Sequence, residues 1–211
     1  MSKESLNLEE TVAMLQTVAE RIIASEPALS EADRNIGDGD HGIGMKRGLT
    51  AAKEKLDAGG FASIDKAFSA VGMAMMSSMG GASGAIFGTL FRNGGKALAG
   101  KESFDAAGLA DFLKAALEGV QARGKAEPGD KTVVDALAAG ANKSTETTEN
   151  ALSQALATVA DATEVGKEKT KDMVAKFGRA KSLGEGTLGF EDAGALSMTI
   201  IMQAMRDHVN G

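Results

Sequence analysis

Apolar residues recur at spacings of three and four along most of the chain, which is the period of an amphipathic helix. The clearest example runs from Leu8 to Ile22 and breaks at Pro27. A short segment from Ala28 to about Arg34 follows it. We find no convincing alternating pattern of the kind that half-buried strands show. The sequence therefore predicts an all-α protein of eight or nine helices, with mostly short connections that favour antiparallel neighbours.

Capping and turn residues mark the ends of the other predicted helices. Glycines at 88, 94 and 95 lower the helix propensity of one of them by about 1 kcal/mol each, which predicts close helix packing or a nearby ligand there. The segment from Gly178 to Asp192 is predicted to be a loop punctuated by glycine. A helix through Met45 and Leu56 is predicted to end at Gly59–Gly60, and the next two helices are predicted to begin after Ser63 and after the Gly80–Gly84 turn. The following helix is predicted to lie between Asp105 and Gly124, and a helix carrying Val133 and Leu137 is predicted to begin after Asp130. A long helix is predicted between about Thr145 and Met173, and the last helix is predicted to begin after Asp192.

Composition and charge narrow the possible functions. The 211 residues are predicted to form a single domain over positions 1–211. With a net charge of -6 and dispersed lysines and arginines, the chain lacks the basic surface that nucleic acid or an anionic membrane requires. The absence of cysteine and the presence of only two histidines exclude disulfides, thiol catalysis and a Cys/His zinc site. Eight phenylalanines and eleven methionines are expected to fill the core.

The N-terminal residues contain no apolar signal-peptide core, and no apolar run approaches the length of a membrane span. We therefore expect a cytoplasmic protein whose partners include neither nucleic acid nor a membrane.

The stretch from Asp33 to Gly42, which we term the acidic loop, carries the densest candidate chemistry. Asp33, Asp38 and Asp40 place three carboxylates within eight residues, and these repel one another unless cations or buried donors neutralise them. The interspersed glycines allow sharp turns and close approach to a ligand. Oxygen ligands of this kind suit Mg²⁺, which shares its remaining positions with water and substrate phosphates. Glycine and aspartate are also ordinary residues of solvated turns, so the acidic loop alone leaves both interpretations open.

A second cluster, from Ser77 to Gly84, favours the metal interpretation. It offers hydroxyls and unhindered backbone N–H groups directly before an apolar helical stretch. Helix N-termini bind anions through such groups and through the helix dipole. Together, the two clusters predict a site for magnesium and phosphate.

Three common motifs fail to match. Residues 124–132 resemble a Walker A loop, but Asp130 separates the second glycine from Lys131, and a helix rather than a strand precedes the segment. An EF-hand beginning at Asp38 would have Ile43 at its sixth position and Leu49 at its twelfth, where glycine and glutamate are required. A serine hydrolase would need a Gly-x-Ser-x-Gly elbow on a strand, and the sequence contains none.

Four ordered motifs make the chain closely resemble the nucleotide-binding subunits of dihydroxyacetone kinases, the DhaL family. The motifs are residues 33–42, 77–89, 123–132 and 178–192, and the resemblance spans almost the whole chain. It implies an antiparallel eight-helix barrel with the nucleotide at one end. It also implies phosphoryl transfer to dihydroxyacetone held on a separate substrate-binding subunit. In one kind of member, bound ADP stays as a cofactor and is rephosphorylated by a phosphohistidine protein of the phosphoenolpyruvate-dependent phosphotransferase system.

The resemblance also implies roles for individual residues. Asp33, Asp38 and Asp40 would bind two Mg²⁺ ions that bridge the nucleotide phosphates. Phosphate contacts are implied for His41, Ser78, Gly80, Gly81, Ala82 and Ser83 with assistance from Thr89. Base or ribose contacts are implied for Gly124, Thr132, Arg179 and Asp192. For these last four residues, ordinary structural roles as helix caps, helix starts or a surface charge remain open.

Three positions depart from the family pattern. Gly44 stands where a polar residue, often asparagine, is expected, Ala193 replaces a common proline, and Ser182 replaces a bulky aromatic residue of some members. Fewer contacts and a looser lid would favour nucleotide exchange, so an ATP-dependent kinase subunit for dihydroxyacetone or a related ketose such as erythrulose is the alternative. A nucleotide-sensing protein that regulates a transcription factor is another, because binding and transfer share the acidic loop.

Overall fold

The computed structural model describes residues 2–211, and this part of the chain contains nine α-helices. Two 3-10 segments, Thr170–Asp172 and Arg179–Thr187, lie between the last two helices. A two-residue strand β1 (Ser5–Leu6) pairs antiparallel with β2 (Phe104–Asp105), which is too short to produce an alternating pattern. The helices are α1 (Leu8–Ala24), α2 (Glu26–Ile36), α3 (His41–Ala58), α4 (Ile64–Ser78), α5 (Gly81–Lys96), α6 (Ala106–Gly124), α7 (Val133–Ser144), α8 (Leu152–Lys169) and α9 (Ala193–Asn210). The prediction of an all-α protein is confirmed.

Eight of the helices form a closed ring. Helix α1 packs against α3, each helix from α3 to α8 packs against the next, and α9 packs back against α1. Helix α2 connects α1 to α3 and lies against α3 and α9. The first residues of α3, α5, α7 and α9 line one cavity, so these four helices all begin at the same end of the barrel. No helix within residues 2–211 is both long and apolar enough to cross a membrane.

Phenylalanine rings fill part of the barrel interior. Phe68 lies 4.8 Å from Phe112 and 5.3 Å from Phe104, measured between ring centroids, and Phe91 lies 6.2 Å from Phe112. All four side chains are fully buried, and their tilted contacts are the arrangement that aromatic quadrupoles favour. Methionines such as Met14 also lie in this core. The prediction that phenylalanine and methionine fill the core is confirmed for these residues.

Close packing explains the glycines of α5. A Cβ atom added to Gly88 would lie 2.8 Å from the carbonyl oxygen of Gly72 in α4. One added to Gly94 would lie 2.5 Å from the ring of Phe112, and one added to Gly95 would lie 2.8 Å from Cβ of Phe68. These glycines let α4 and α6 approach α5 closely, so packing is the explanation the structure supports at these three positions.

Two helix starts differ from the prediction. Residues 26–36 form the complete helix α2, and Pro27 lies in its first turn, where a missing N–H breaks no helical hydrogen bond. The prediction that Asp130 caps α7 is wrong. Thr132 is the N-cap, since its hydroxyl accepts from the N–H of Val134 and the carboxylate of Asp135 accepts from the N–H of Thr132.

One helix end, the limits of α8 and one loop also differ. Gly124 is the last residue of α6 and does not follow it, and Lys125 is the C-cap, which adopts the left-handed conformation with φ of 61°. Helix α8 spans Leu152–Lys169, whereas the prediction placed it between about Thr145 and Met173. The predicted loop between 178 and 192 contains a 3-10 segment. The predicted caps at Asp105 and Asp192 are confirmed, since their carboxylates accept from backbone N–H groups of the first helical turn.

Candidate functional site

A cavity of about 620 Å³ opens at the end of the barrel where α3, α5, α7 and α9 begin. First-turn residues of all four helices line it, namely His41, Gly81, Val133 and Ala193. Each helix N-terminus carries a partial positive charge and N–H groups without helical partners. The convergence of four such ends favours a polyanionic ligand, and the volume is typical of small-molecule sites.

The three carboxylates of the acidic loop lie at one side of this cavity. Asp33 extends from the last turn of α2, and one ligand oxygen from each of Asp33, Asp38 and Asp40 lies within 4.8 Å of the others. The backbone N–H of His41 donates to Oδ2 of Asp33 over 3.2 Å. A Cβ atom on Gly37 would lie 2.4 Å from Oδ1 of Asp33, so glycine leaves space for this carboxylate. Clustered, partly exposed oxygen donors fit a hard divalent cation that keeps some of its waters.

An arginine reaches this cluster from across the cavity. Nη1 of Arg179 forms an ion pair with Oδ2 of Asp38. Arg179 belongs to residues 173–191, which we term the wall loop because its residues 177–180 line the cavity. The guanidinium partly neutralises the carboxylate cluster in this structure.

His41 joins the starts of α3 and α9. Its Nε2 lies 2.8 Å from the hydroxyl of Ser197, and that hydroxyl donates to the carbonyl oxygen of Ala193. We therefore assign the imidazole proton to Nε2, which donates to the Ser197 oxygen. Burial lowers the pKa of His41, while the charges of Asp33 and Asp40 act in the opposite direction. The ring is thus an oriented group at the cavity wall, and its burial favours the neutral form.

The turn between α4 and α5 presents backbone N–H groups to the cavity. Gly80 and Gly81 adopt left-handed conformations, with φ of 72° and 61°, which glycine enters without the strain that a Cβ atom causes. The guanidinium of Arg47 donates to the carbonyl oxygen of Met79 and holds the turn. Among the described residues, no side chain caps the start of α5. The N–H groups of this turn are therefore available to an anion.

The turn before α7 contributes a buried lysine. Lys131 is 2% exposed and has a φ of 60°. Its ammonium donates to the carbonyl oxygens of Thr170, which lies just before the wall loop, and of Phe190, which lies near the end of that loop. Burial lowers the pKa of Lys131, against the opposing effect of Asp192 and Asp135.

Asp192 lines the cavity at the start of α9. Its Oδ2 accepts from the N–H of Ala195 over 2.8 Å, and its own N–H donates to the hydroxyl of Thr170. Burial raises the pKa of Asp192 to about 7, which the hydrogen bond from Ala195 opposes. This carboxyl group therefore changes charge near neutral pH.

The cavity brings together most of the residues that the sequence predicted for the site. Three lie outside its lining. The hydroxyl of Ser78 donates to the carbonyl oxygen of Ala74 and borders a neighbouring groove. Thr89 is buried within α5, and a Cβ atom on Gly124 would meet Ile86 at 2.9 Å. The predicted residues that line the cavity are Asp33, Asp38, Asp40, His41, Gly80, Gly81, Ala82, Ser83, Thr132, Arg179 and Asp192.

Sequence reasoning missed several residues of the cavity. Lys131 lies in the segment that failed as a Walker A loop, and its position next to Thr132 was a usable signal. The two departures Gly44 and Ala193 also line the cavity, whereas Ser182 does not. Apolar lining residues gave no separate signal, because their spacing is that of helix cores. The lining residues that were missed include Arg47, Ile86, Phe87, Lys131, Val133 and Phe177.

Known proteins are similar to this chain in sequence and in fold. The family model described as the DAK2 domain matches residues 35–207. The ADP-binding subunit DhaL of PEP-dependent dihydroxyacetone kinase 1 from Listeria innocua is 41% identical over 191 residues, which cover 90% of this chain and 91% of that subunit. The L-erythrulose kinase of Pectobacterium atrosepticum is 35% identical over 206 residues, which cover 94% of this chain and 34% of that kinase.

One solved structure extends the comparison to the fold. It is the crystal structure of the dihydroxyacetone kinase from C. freundii in complex with AMP-PNP and Mg²⁺. The alignment has a TM-score of 0.74 at 21% identity and covers 98% of this chain and 35% of that chain. The two proteins therefore share the barrel fold.

Proposed function

The chain belongs to the DAK2 domain family, and we propose that it is the nucleotide-binding subunit of a dihydroxyacetone kinase. The resemblance to DhaL subunits that the motifs indicated is confirmed by the relatives, and the named relatives are kinases. In this proposal, a phosphoryl group passes from a magnesium-bound nucleotide in the cavity to dihydroxyacetone on a separate substrate-binding subunit. The observation that carries the proposal is the convergence of three carboxylates and four helix N-termini on one cavity.

We assign the metal to the acidic loop. Asp33, Asp38 and Asp40 would hold Mg²⁺, and their clustered oxygen atoms fit its preference for hard ligands. The number of two ions rests on the family resemblance. Bound there, the metal would supply charge neutralisation and Lewis acidity at the phosphates.

The remaining residues would position the nucleotide. Gly80, Gly81, Ala82 and Ser83 would offer the start of α5 to the phosphates, and His41 would support them at the start of α3. Thr132, Arg179 and Asp192 would lie near the base and ribose. The roles proposed for Ser78, Thr89 and Gly124 rest on resemblance alone, because these residues lie outside the cavity lining.

Such a site performs phosphoryl transfer through geometry and electrostatics. The reaction requires that the donor phosphate and the acceptor hydroxyl be aligned and that developing charge be balanced. Helix N-termini aimed at the phosphates supply fixed dipoles for this purpose. No nucleophilic side chain of this chain is needed.

Exposed apolar side chains support docking of the substrate subunit at the cavity end. Phe177 of the wall loop and Ile43 of α3 line the cavity and are exposed, and the wall loop also exposes Leu183, Leu188 and Phe190. Grouped exposure of this kind is typical of interaction surfaces. The Listeria innocua relative is itself named as a subunit, which favours a partner on a separate polypeptide.

The phosphoryl donor distinguishes two versions of the proposal. The PEP-dependent name of the Listeria innocua relative supports ADP as a retained cofactor that is recharged by a phosphohistidine protein of the phosphotransferase system. The L-erythrulose kinase relative supports the alternative, an ATP-dependent kinase subunit for dihydroxyacetone or a related ketose. The small residues Gly44 and Ala193 in the cavity lining also favour exchange of the nucleotide.

Native mass spectrometry with Mg²⁺, before and after exhaustive dialysis, tests both versions. Retained ADP with two Mg²⁺ ions would support the cofactor version. A protein without nucleotide that binds added ATP reversibly would support the ATP-dependent version. If neither nucleotide binds under either condition, the proposed function is wrong.

Reconstitution separates the kinase from a nucleotide-sensing regulatory protein. The chain should support phosphorylation of dihydroxyacetone when a substrate-binding subunit and a phosphoryl donor are added. Asp38→Ala should abolish this activity while the helical content is retained. Nucleotide binding without any activity in the wild-type assay would favour the regulatory alternative.

A further inference from the structure

Lys131 places its charged group beneath the wall loop. The side chain is 2% exposed, and its ammonium donates to the carbonyl oxygens of Thr170 and Phe190. Thr170 lies just before the wall loop, and Phe190 lies at its end. One side chain from the turn before α7 therefore bridges the two ends of the loop.

Lys131 combines two unfavourable features. Its φ of 60° is in the left-handed region, which strains residues that carry a Cβ atom. Its ammonium is also removed from water, which is unfavourable unless the charge is hydrogen-bonded. An apolar side chain would fill the same space without burying a charge. The two hydrogen bonds to the ends of the wall loop are therefore the contribution that distinguishes lysine at this position.

Other contacts also close the base of the wall loop. The N–H of Gly189 donates to the carbonyl oxygen of Lys171 over 2.8 Å, and the N–H of Lys176 donates to that of Asp130 over 3.2 Å. The N–H of Ala175 donates to the hydroxyl of Thr187 over 3.1 Å, and Lys167 pairs with Glu191 over 3.4 Å. Most side chains of the loop are exposed. A loop with few buried contacts opens more readily than the helices around it, so each hydrogen bond at its base has a large influence on its position.

The bridge also reaches the cavity through Thr170. The carbonyl oxygen of Thr170 accepts from Lys131, and its hydroxyl accepts from the N–H of Asp192 over 3.0 Å. The wall loop carries Phe177 and Arg179 to the cavity. Lys131 is thus connected to two parts of the cavity wall.

We propose that Lys131 is a positioning residue that holds the two ends of the wall loop together and thereby slows the release of nucleotide from the cavity. The ligand is a nucleoside diphosphate or triphosphate with Mg²⁺. The identity of the ligand in this inference rests on the proposed function. The contacts by which Lys131 holds the wall loop are a property of the protein without nucleotide.

The test compares Lys131→Met with Lys176→Met in the full chain. Methionine keeps much of the apolar stem of lysine and removes the ammonium. Lys176 belongs to the wall loop and pairs with Asp130 of the same turn over 2.8 Å, but its side chain is 63% exposed, so it is a matched control on the surface. Two readouts are measured on each protein, namely tryptic cleavage after Arg179 and Lys181 without nucleotide, and dissociation of a fluorescent ADP analogue with Mg²⁺ by stopped flow.

We expect both rates to increase about tenfold or more in Lys131→Met, since about tenfold corresponds to losing one hydrogen bond to a charged group. In Lys176→Met both rates should remain within about twofold of wild type, as is usual for exposed ion pairs. Unchanged rates in Lys131→Met would overturn the proposal. A uniform increase of cleavage at sites throughout the barrel would also overturn it, because that result indicates a general loss of stability.

Lys131→Gly addresses the possibility that the methionine variant does not fold. Glycine adopts the left-handed conformation without strain but cannot bridge the loop, so it should show the same selective cleavage after Arg179 and Lys181. Failure of both variants to fold would overturn the positioning role. If wild type binds no nucleotide, the proposed function fails. The cleavage comparison still decides whether Lys131 holds the wall loop in place.

Discussion

Arg179 of the wall loop and Asp38 of the acidic loop form an ion pair across the cavity. The pair places a guanidinium on one of the three carboxylates that we propose as metal ligands. A divalent cation that uses the same oxygen of Asp38 has to compete with Arg179. If these carboxylates hold the metal as proposed, the position of the wall loop and the occupancy of the metal site would be coupled.

Removing the arginine should strengthen metal binding by the protein without nucleotide. In Arg179→Gln we expect the affinity for Mg²⁺ to rise about two- to fivefold, because exposed ion pairs contribute up to about 1 kcal/mol. Isothermal titration calorimetry measures the affinity. Arg34→Gln is the control, since Arg34 is an exposed arginine of the acidic loop itself but pairs with Glu31. Equal or weaker binding in Arg179→Gln would contradict the competition.

Removing one carboxylate should abolish phosphoryl transfer without unfolding the protein. In Asp38→Asn we expect kcat/KM to fall by at least about 100-fold, because a metal ligand and its charge are lost. The reconstituted kinase assay measures this, and circular dichroism checks the fold. Asp161→Asn is the control, since Asp161 lies on α8 with its side chain 80% exposed. Activity within about tenfold of wild type in Asp38→Asn would argue against the metal assignment.

Asp192 should make stability depend on pH in a defined direction. Its pKa is raised from 3.8 to about 7 by burial, so the folded protein keeps this proton where the unfolded chain has released it. The folded state therefore loses stability as pH rises from about 4 to about 7, and the full loss is present above pH 7.

Asp192→Asn removes this dependence, because asparagine does not ionise and still caps a helix. At pH 8 we expect the variant to have a free energy of unfolding higher than wild type by on the order of 2 kcal/mol, and near pH 4 we expect little difference. Urea unfolding at both pH values measures it. The same difference at both values would show that Asp192 does not titrate in this range.

The contact between α4 and α5 should tolerate no side chain at Gly72. A Cβ atom there would lie 2.6 Å from the carbonyl oxygen of Gly88 and 2.6 Å from the backbone nitrogen of Arg92. We expect Gly72→Ala to lower the free energy of unfolding by about 2 to 3 kcal/mol. Urea unfolding measures this.

Gly44→Ala is the matched control, because it also replaces a helical glycine. The nearest atom to its added Cβ is Cε of Met79 at 3.9 Å, which is an ordinary contact. Helix propensity should then raise stability by up to about 1 kcal/mol. Similar effects of the two substitutions would contradict the packing explanation.

Local patterns made several features predictable from sequence. Asp105 and Asp192 were identified as caps because a cap interacts with N–H groups only three residues away. The same short-range pattern gave the wrong cap for α7, because Asp130 and Thr132 are both good capping residues. Asp130 instead accepts from the N–H of Glu127 and pairs with Lys176, and that second contact comes from a distant part of the chain.

The spacing of apolar residues and the composition of the acidic loop were enough to establish an all-α protein with a candidate magnesium and phosphate site, because helices and turns depend on residues within about one turn of each other. The cavity itself arises only when the ring of helices closes. Closure brings four helix N-termini together, pairs Arg179 with Asp38, sets Lys131 beneath the wall loop and leaves Ser78 outside the lining. These contacts join residues far apart in the chain, such as Lys131 and Phe190 at a separation of 59, and no short-range pattern encodes them.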